Sequence, residues 1–167
     1  MRKKSPGKVI TRMALKIVRF VNLLLAGLLA GNEFGTWAAV HPALEKLSPS
    51  ERIRAEQELT RRYAAMMPFW MLSVIASSLA VLASSRKTSS FLPTLLGTVC
   101  FVAMLVSTIF GNVPINNRVL ELSPEEDSEE FVRLRKRWDM LYAFRVFMNV
   151  TGLGFLAAGA LRERSHR

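Results

Sequence analysis

The stretch Gly27-Leu-Leu-Ala-Gly31-Asn32-Glu33-Phe-Gly35-Thr36-Trp37-Ala-Ala-Val-His41-Pro42 decides the fold. It is the second half of an apolar run over residues 18–40, and it closes in amide, carboxylate and imidazole side chains. A run of this length crosses a hydrocarbon core about 30 Å thick. An ionised side chain at the centre of such a span costs about 3 kcal/mol or more and is rarely left facing lipid. Glu33 is therefore predicted to point into a bundle, toward a cation supplied elsewhere in the chain.

Three further apolar runs cover residues 66–84, 91–113 and 140–161, so the pattern predicts an all-α, four-helix transmembrane bundle forming one domain over residues 1–167. Half of the residues are apolar and the mean hydropathy is +0.22, yet 23 residues are basic and 13 acidic. The two facts agree because the charges collect in a basic leader, residues 1–17, and in the connections. The net charge of +10 then serves orientation and head-group contact, not nucleic-acid binding. The single cysteine, Cys100, can form neither an internal disulfide nor a CxxC pair, which argues against a quinone-linked disulfide enzyme of the vitamin K epoxide reductase type. His41 and His166 alone do not make a transition-metal site.

The leader precedes an apolar stretch too long, and too polar at its far end, for a cleaved signal peptide, so a retained anchor helix is expected. Gly27, Gly31 and Gly35 recur every four residues and form a ridge that admits a close neighbour. That neighbour is either another helix of the bundle or a second copy of the chain. Pro42, lacking an amide hydrogen, is expected to end the first helix. Ser48-Pro49-Ser50-Glu51 reads as a helix start and predicts an amphipathic interfacial helix over about residues 49–63, running on into the second span. Ser123-Pro124-Glu125-Glu126 is a second such signal, predicting a charged helix over about residues 124–137 that leads to Trp138. Short interfacial helices are thus expected in the 1–2 and 3–4 connections. Ser73, Ser77 and Ser84 on the second span, and Thr94, Thr98, Thr108 and Asn112 on the third, read as groups that make interhelical hydrogen bonds.

Periodicity is clearest in the fourth span. Trp138, Tyr142, Arg145, Asn149 and Gly152 fall at offsets 0, 4, 7, 11 and 14, which keeps them on one helical face. Four alternating spans bring the end of the first, the start of the second, the end of the third and the start of the fourth to one side of the membrane. These places carry Asn32, Glu33, Trp37 and His41; Arg62, Met66 and Trp70; Asn112, Asn116, Asn117 and Arg118; and Trp138, Tyr142 and Arg145. Glu33 and Arg145 both lie about 10–12 Å below the interface. They are predicted to form a buried ion pair, which either fixes helix register or supplies the acid and cation of a binding pocket. The terminal side carries twelve basic residues, counting Arg19 at the start of the first span, and the other side ten. That slight excess and the dense leader suggest cytoplasmic termini in the cell membrane, with the polar constellation facing outward.

Three stretches carry a family resemblance: Gly31-Asn-Glu-Phe with His41-Pro42-Ala-Leu; Arg61-Arg-Tyr through Met67-Pro68-Phe-Trp; and Val113-Pro-Ile-Asn-Asn-Arg118 followed by Arg137-Trp-Asp-Met-Leu-Tyr-Ala-Phe-Arg145. Together they resemble the four-helix membrane proteins of the anthrone oxygenase-like family, across nearly the whole chain after residue 15. The resemblance implies cofactor-free oxygenation of a flat, acidic, lipid-soluble phenolic ring system. In such chemistry a base, His41 or Glu33, removes a benzylic proton. Arg145, Asn116 or Asn117 then holds the enolate oxyanion, which reacts with O₂. Asn32, Trp37, Trp70, Asn112, Asn116, Asn117, Arg118, Trp138 and Tyr142 are the expected substrate-binding residues. The expected partners are membrane lipid and a hydrophobic small molecule, with no cofactor or metal. Two other classes compete. One is a transporter or sensor, since an embedded glutamate in the first of four helices resembles the small multidrug resistance exporters. The other is a non-enzymatic membrane partner or assembly protein.

Overall fold

The structure is a computed structural model that describes residues 6–125 and 128–165. The start of the basic leader, Glu126 and Asp127 of the acidic run, and His166 lie outside the described residues. Helix α1 spans Pro6–Gly35 and passes through a π-helical turn, Thr36–Val40, into α2, His41–Leu44. Helix α3 spans Pro49–Ser85. Helix α4, Phe91–Ser107, passes through a second π-helical turn, Thr108–Asn112, into α5, Val113–Glu121. Helix α6 spans Ser128–Ser165. The protein is all-α, with four helices long and apolar enough to cross a membrane; α2 and α5 are the ends of the first and third of these, and residues 49–63 and 128–137 are the first parts of α3 and α6.

Pro42 does not end the first helix. The same spacing, Thr36 to Pro42 and Thr108 to Pro114, occurs twice, and each time a π turn precedes the proline. The His41 amide donates to the Thr36 carbonyl, and the Val113 amide to that of Thr108, each five residues back. A proline ring clashes with the carbonyl four residues earlier in a regular helix. A wider turn relieves that conflict and lets the helix continue.

Residues 49–63 form the first part of α3 and run on into the second span as expected, but they stand upright on a second core instead of lying along the membrane surface. The start of α3 is a capping box: the Ser48 amide donates to the Glu51 carboxylate at 3.1 Å while the Ser48 side chain accepts from the Glu51 amide. At 37 and 38 residues, α3 and α6 are about 55 Å long, well beyond a hydrocarbon core of about 30 Å. Both stand out of the membrane at the same end. A second core holds them upright there, built from Ile53, Ile115, Val119, Leu122, Phe131 and Trp138. The Gln57 amide group clamps it by donating to the carbonyls of Val119 and Leu122, each at 3.0 Å. Helix α6 begins at Ser128, later than the expected 124, because Pro124 and Glu125 lie in a turn.

Within the membrane, α1 packs on α3 and α6, and α4 packs on the same two helices, so α1 and α4 take opposite corners. Large apolar side chains such as Phe20, Phe69, Val99 and Phe147 remain exposed around the bundle, as expected where lipid is the solvent. Polar groups link the helices inside. The Asn22 side chain donates to Ser77 Oγ at 2.9 Å and Ser78 Oγ at 2.8 Å, tying α1 to α3. Ser73, Ser84, Thr98 and Thr108 instead bond carbonyls four residues back in their own helix.

The glycine ridge of α1 does not do what its spacing suggested inside the bundle. A Cβ added at Gly27, Gly31 or Gly35 would meet nothing within 4 Å among the described residues. Close approach belongs to α4 and α6. A Cβ on Gly97 would sit 2.9 Å from the Gly152 carbonyl oxygen, and one on Gly152 would sit 3.0 Å from the Phe101 ring.

Candidate functional site

Four faces with helical spacing converge where the protruding core meets the membrane-embedded one. Glu33 and Thr36 come from α1 and the turn after it, and His41 from α2. Glu56, Thr60, Tyr63, Met67 and Met71 of α3 follow at offsets 0, 4, 7, 11 and 15. Arg135, Trp138, Tyr142 and Arg145 of α6 fall at 0, 3, 7 and 10. Thr108, Asn116 and Asn117 complete the ring from the second π turn and α5. Most of these residues enclose a cavity of about 440 Å³.

At its deep end the Arg145 guanidinium donates to Glu33 Oε1. Glu33 is 1% exposed and Arg145 5%, so the pair is buried as the depth argument required. Glu33 Oε2 and Arg145 Nε have no hydrogen-bond partner among the described residues. Tyr142 lies beside the pair: its hydroxyl donates to the Glu33 carbonyl at 3.3 Å and the Arg145 guanidinium sits 5.1 Å from its ring. Trp138 stacks on Tyr142, with centroids 4.4 Å apart and planes 14° apart, giving the cavity a flat aromatic wall. Trp138 Nε1 donates to Asn116 Oδ1 at 2.7 Å, which fixes the amide so that its NH₂ is free to donate elsewhere.

At the outer end Arg135 organises a second polar group. Its Nη1 donates to Glu56 Oε2 at 3.3 Å and its Nη2 to Asp139 Oδ1 at 2.6 Å, while the guanidinium lies 4.1 Å from the Trp138 ring. The same Nη2 stands 3.0 Å from His41 Nδ1. A guanidinium only donates, so Nδ1 accepts, and a neutral imidazole here carries its proton on Nε2. His41 Nε2 has no hydrogen-bond partner among the described residues, while Glu56 Oε1 lies 3.5 Å from His41 Nδ1 and 4.0 Å from Arg52 Nε. Among those residues no three His, Cys, Asp or Glu side chains converge as a metal site would require.

Of the residues singled out from the sequence, Asn32, Glu33, His41, Asn116, Asn117, Trp138, Tyr142 and Arg145 line the cavity. Trp37, Trp70, Asn112 and Arg118 do not. Trp37 is 46% exposed and leans on Phe34. Trp70 turns toward α1 and donates to the Leu25 carbonyl at 3.2 Å. Asn112 is buried away from the cavity wall, and Arg118 is held outside by both oxygens of Glu130, at 2.7 and 2.9 Å. The sequence reading missed Glu56, Tyr63, Thr36 and Arg135. Their signal was present, since Arg135 is three residues before Trp138 on the same face, and Glu56 and Tyr63 are seven apart. Extending the helical faces beyond the apolar runs would have found Glu56, Tyr63 and Arg135, while Thr36 lies inside the first run, three residues after Glu33.

The fold and site define a class: a four-helix membrane bundle with a polar-ended, aromatic-walled cavity at one membrane face. Within it, the chain belongs to the anthrone oxygenase family, whose sequence profile, described as Anthrone oxygenase, matches residues 57–155, more than half of the 167. That segment carries Tyr63, Asn116, Arg135, Trp138, Tyr142 and Arg145, while Glu33 and His41 precede it. No curated protein and no solved structure matches the chain.

Proposed function

We propose that this protein is a cofactor-independent oxygenase acting on a lipophilic phenolic ring system of the anthrone type. One observation carries the reading: a fully buried carboxylate, anchored through Oε1 by Arg145, keeps Oε2 unpartnered at the wall of an aromatic-lined cavity. In this reading Glu33 Oε2 is the base, taking a proton from a CH₂ group flanked by two rings. The electron pair moves onto the ring carbonyl, and His41 Nε2–H, the Asn116 amide and Arg145 Nε are the donors available to that oxyanion. His41 is thus a donor and not the base, because Arg135 occupies Nδ1. Glu33 and His41 are eight residues apart, on either side of the Thr36–Val40 π turn, and both line the cavity. The carbanion adds O₂ to give a hydroperoxide, which loses water as the second C–H breaks. Overall CH₂ plus O₂ becomes C=O plus H₂O.

A cation exporter would need its embedded acid free for cargo, and here Arg145 holds it. In this proposal the termini are cytoplasmic, the cavity opens toward the outer face, and the ridge of Gly27, Gly31 and Gly35 remains available to a second copy of the chain. The test is O₂ uptake by purified protein with 1,8-dihydroxyanthrone in nanodiscs. We expect one O₂ consumed per quinone formed, and a loss of at least about 100-fold in kcat for Glu33→Gln. Uptake no faster than that of protein-free nanodiscs overturns the proposal.

A further inference from the structure

The cavity has a side as well as an end. On α3, Ala64, Pro68 and Leu72 line it at four-residue steps. Opposite them, Ile109, Val113 and Asn117 line it with the same step. All six are also exposed, Leu72 by 54% and Ile109 by 49%, more than the wall of a closed cavity would be. A residue that both lines a cavity and is exposed outside frames an opening, so the two rows are the jambs of a slot between α3 and the α4–α5 rod. The helices run antiparallel, which sets Leu72 and Ile109 at the deep end and Ala64 and Asn117 at the outer end. Next to the deep jambs, Phe69 and Phe110 point outward with 76% and 77% of their surface exposed, a level at which only hydrocarbon is a compatible solvent. The helices also have reason to part here. Pro68 lacks the amide that would continue the α3 ladder, and the Thr108–Asn112 π turn widens the opposite rod.

We infer that this slot is a lateral inlet through which a planar polycyclic molecule dissolved in the bilayer reaches the cavity without passing through water. The occupant is set by what lies behind the slot, a stacked Trp138–Tyr142 wall with charged groups at both ends. A cavity of about 440 Å³ is within the usual range for one small ligand. The identity of that ligand rests on the proposed function, while the slot as a route does not.

The experiment separates the two. Thr36 is 5% exposed and lines the cavity from the α1 side. Thr36→Cys, in a Cys100→Ser chain reconstituted in liposomes, is exposed to N-pyrenylmaleimide, a flat membrane-soluble reagent, and separately to a cationic water-soluble methanethiosulfonate. Leu72→Trp with Ile109→Trp fills the slot, and Ala64→Phe with Val113→Phe is a second filled form that guards against a folding defect in the first. We expect each filled form to slow pyrenyl labelling at least tenfold and to leave the slower cationic reaction unchanged. Equal pyrenyl rates in open and filled forms overturn the inlet, as does cationic labelling faster than pyrenyl labelling in the open form. Binding of 1,8-dihydroxyanthraquinone, followed by its visible absorbance, tests the ligand separately. If slot-dependent labelling persists but this probe does not bind, the inlet stands and the phenolic reading falls.

Discussion

Replacing Glu33 by Gln, Arg145 by Met, and both together tests the central pair of the bundle. Both partners are nearly inaccessible, at 1% and 5% exposure. Removing one partner of a buried pair costs about 3–5 kcal/mol, because the other charge is left uncompensated. The Arg145 guanidinium lies 5.1 Å from the Tyr142 ring in the parent, and a contact that the variant keeps does not offset the loss. The expected loss for Glu33→Gln is therefore about 3–5 kcal/mol, a fall of roughly 150- to 5,000-fold in the folded-to-unfolded ratio. Arg145→Met should cost less, since a stranded carboxyl can be neutralised by a proton and a guanidinium cannot. The double variant replaces two charges by groups that need no ion partner and should return to within about 1 kcal/mol of the parent. The assay is reversible unfolding in mixed micelles for the four proteins of the cycle, with O₂ uptake measured alongside. A coupling energy below about 0.5 kcal/mol means that the pair does not act as a unit and refutes the reasoning. Recovery of both folding and turnover in the double variant makes the pair structural and removes Glu33 as the base.

Three other outcomes follow from the same packing. Gly152→Ala should destabilise the α4–α6 seam by about 1–3 kcal/mol through overpacking, whereas Gly31→Ala should be neutral or slightly stabilising in detergent-dispersed monomer; unfolding midpoints decide, and a loss for Gly31→Ala restricted to a higher oligomer reveals a partner on that ridge. Arg118→Ala should change stability by less than about 1 kcal/mol and leave ligand affinity unaltered, because its bonds to Glu130 and Glu121 are solvent-exposed; a tenfold change in affinity would put Arg118 in the site after all. Arg135→Gln should free His41 Nδ1, seen as a change in the imidazole ¹⁵N tautomer pattern, lower kcat at least tenfold, and also lower the unfolding midpoint, because it strands the buried Glu56 carboxylate; an unchanged ¹⁵N pattern overturns the assigned tautomer.

Much of this protein was legible in its residues because lipid imposes strict rules on a chain. Backbone groups without water must pair within a helix, so four apolar runs of bilayer length dictate four rods, and alternation dictates which ends meet. An embedded acid and an embedded guanidinium at equal depth then have to find each other, and Glu33 and Arg145 do. What the residues alone did not decide is which face of each rod turns inward. Two π turns reset the helical phase in the α1–α2 and α4–α5 rods, and they lie close to Trp37 and Asn112, neither of which reaches the cavity. The connections were also ambiguous: a charged amphipathic segment lies on a membrane surface or stands upright according to whether another core is there to receive it. The Ile53–Phe131–Val119 cluster supplied that core, and with it brought Glu56 and Arg135 onto His41. Those contacts join residues 79 and 94 positions apart in sequence, which no local spacing encodes, and they leave Nε2 as the imidazole nitrogen without a hydrogen-bond partner among the described residues.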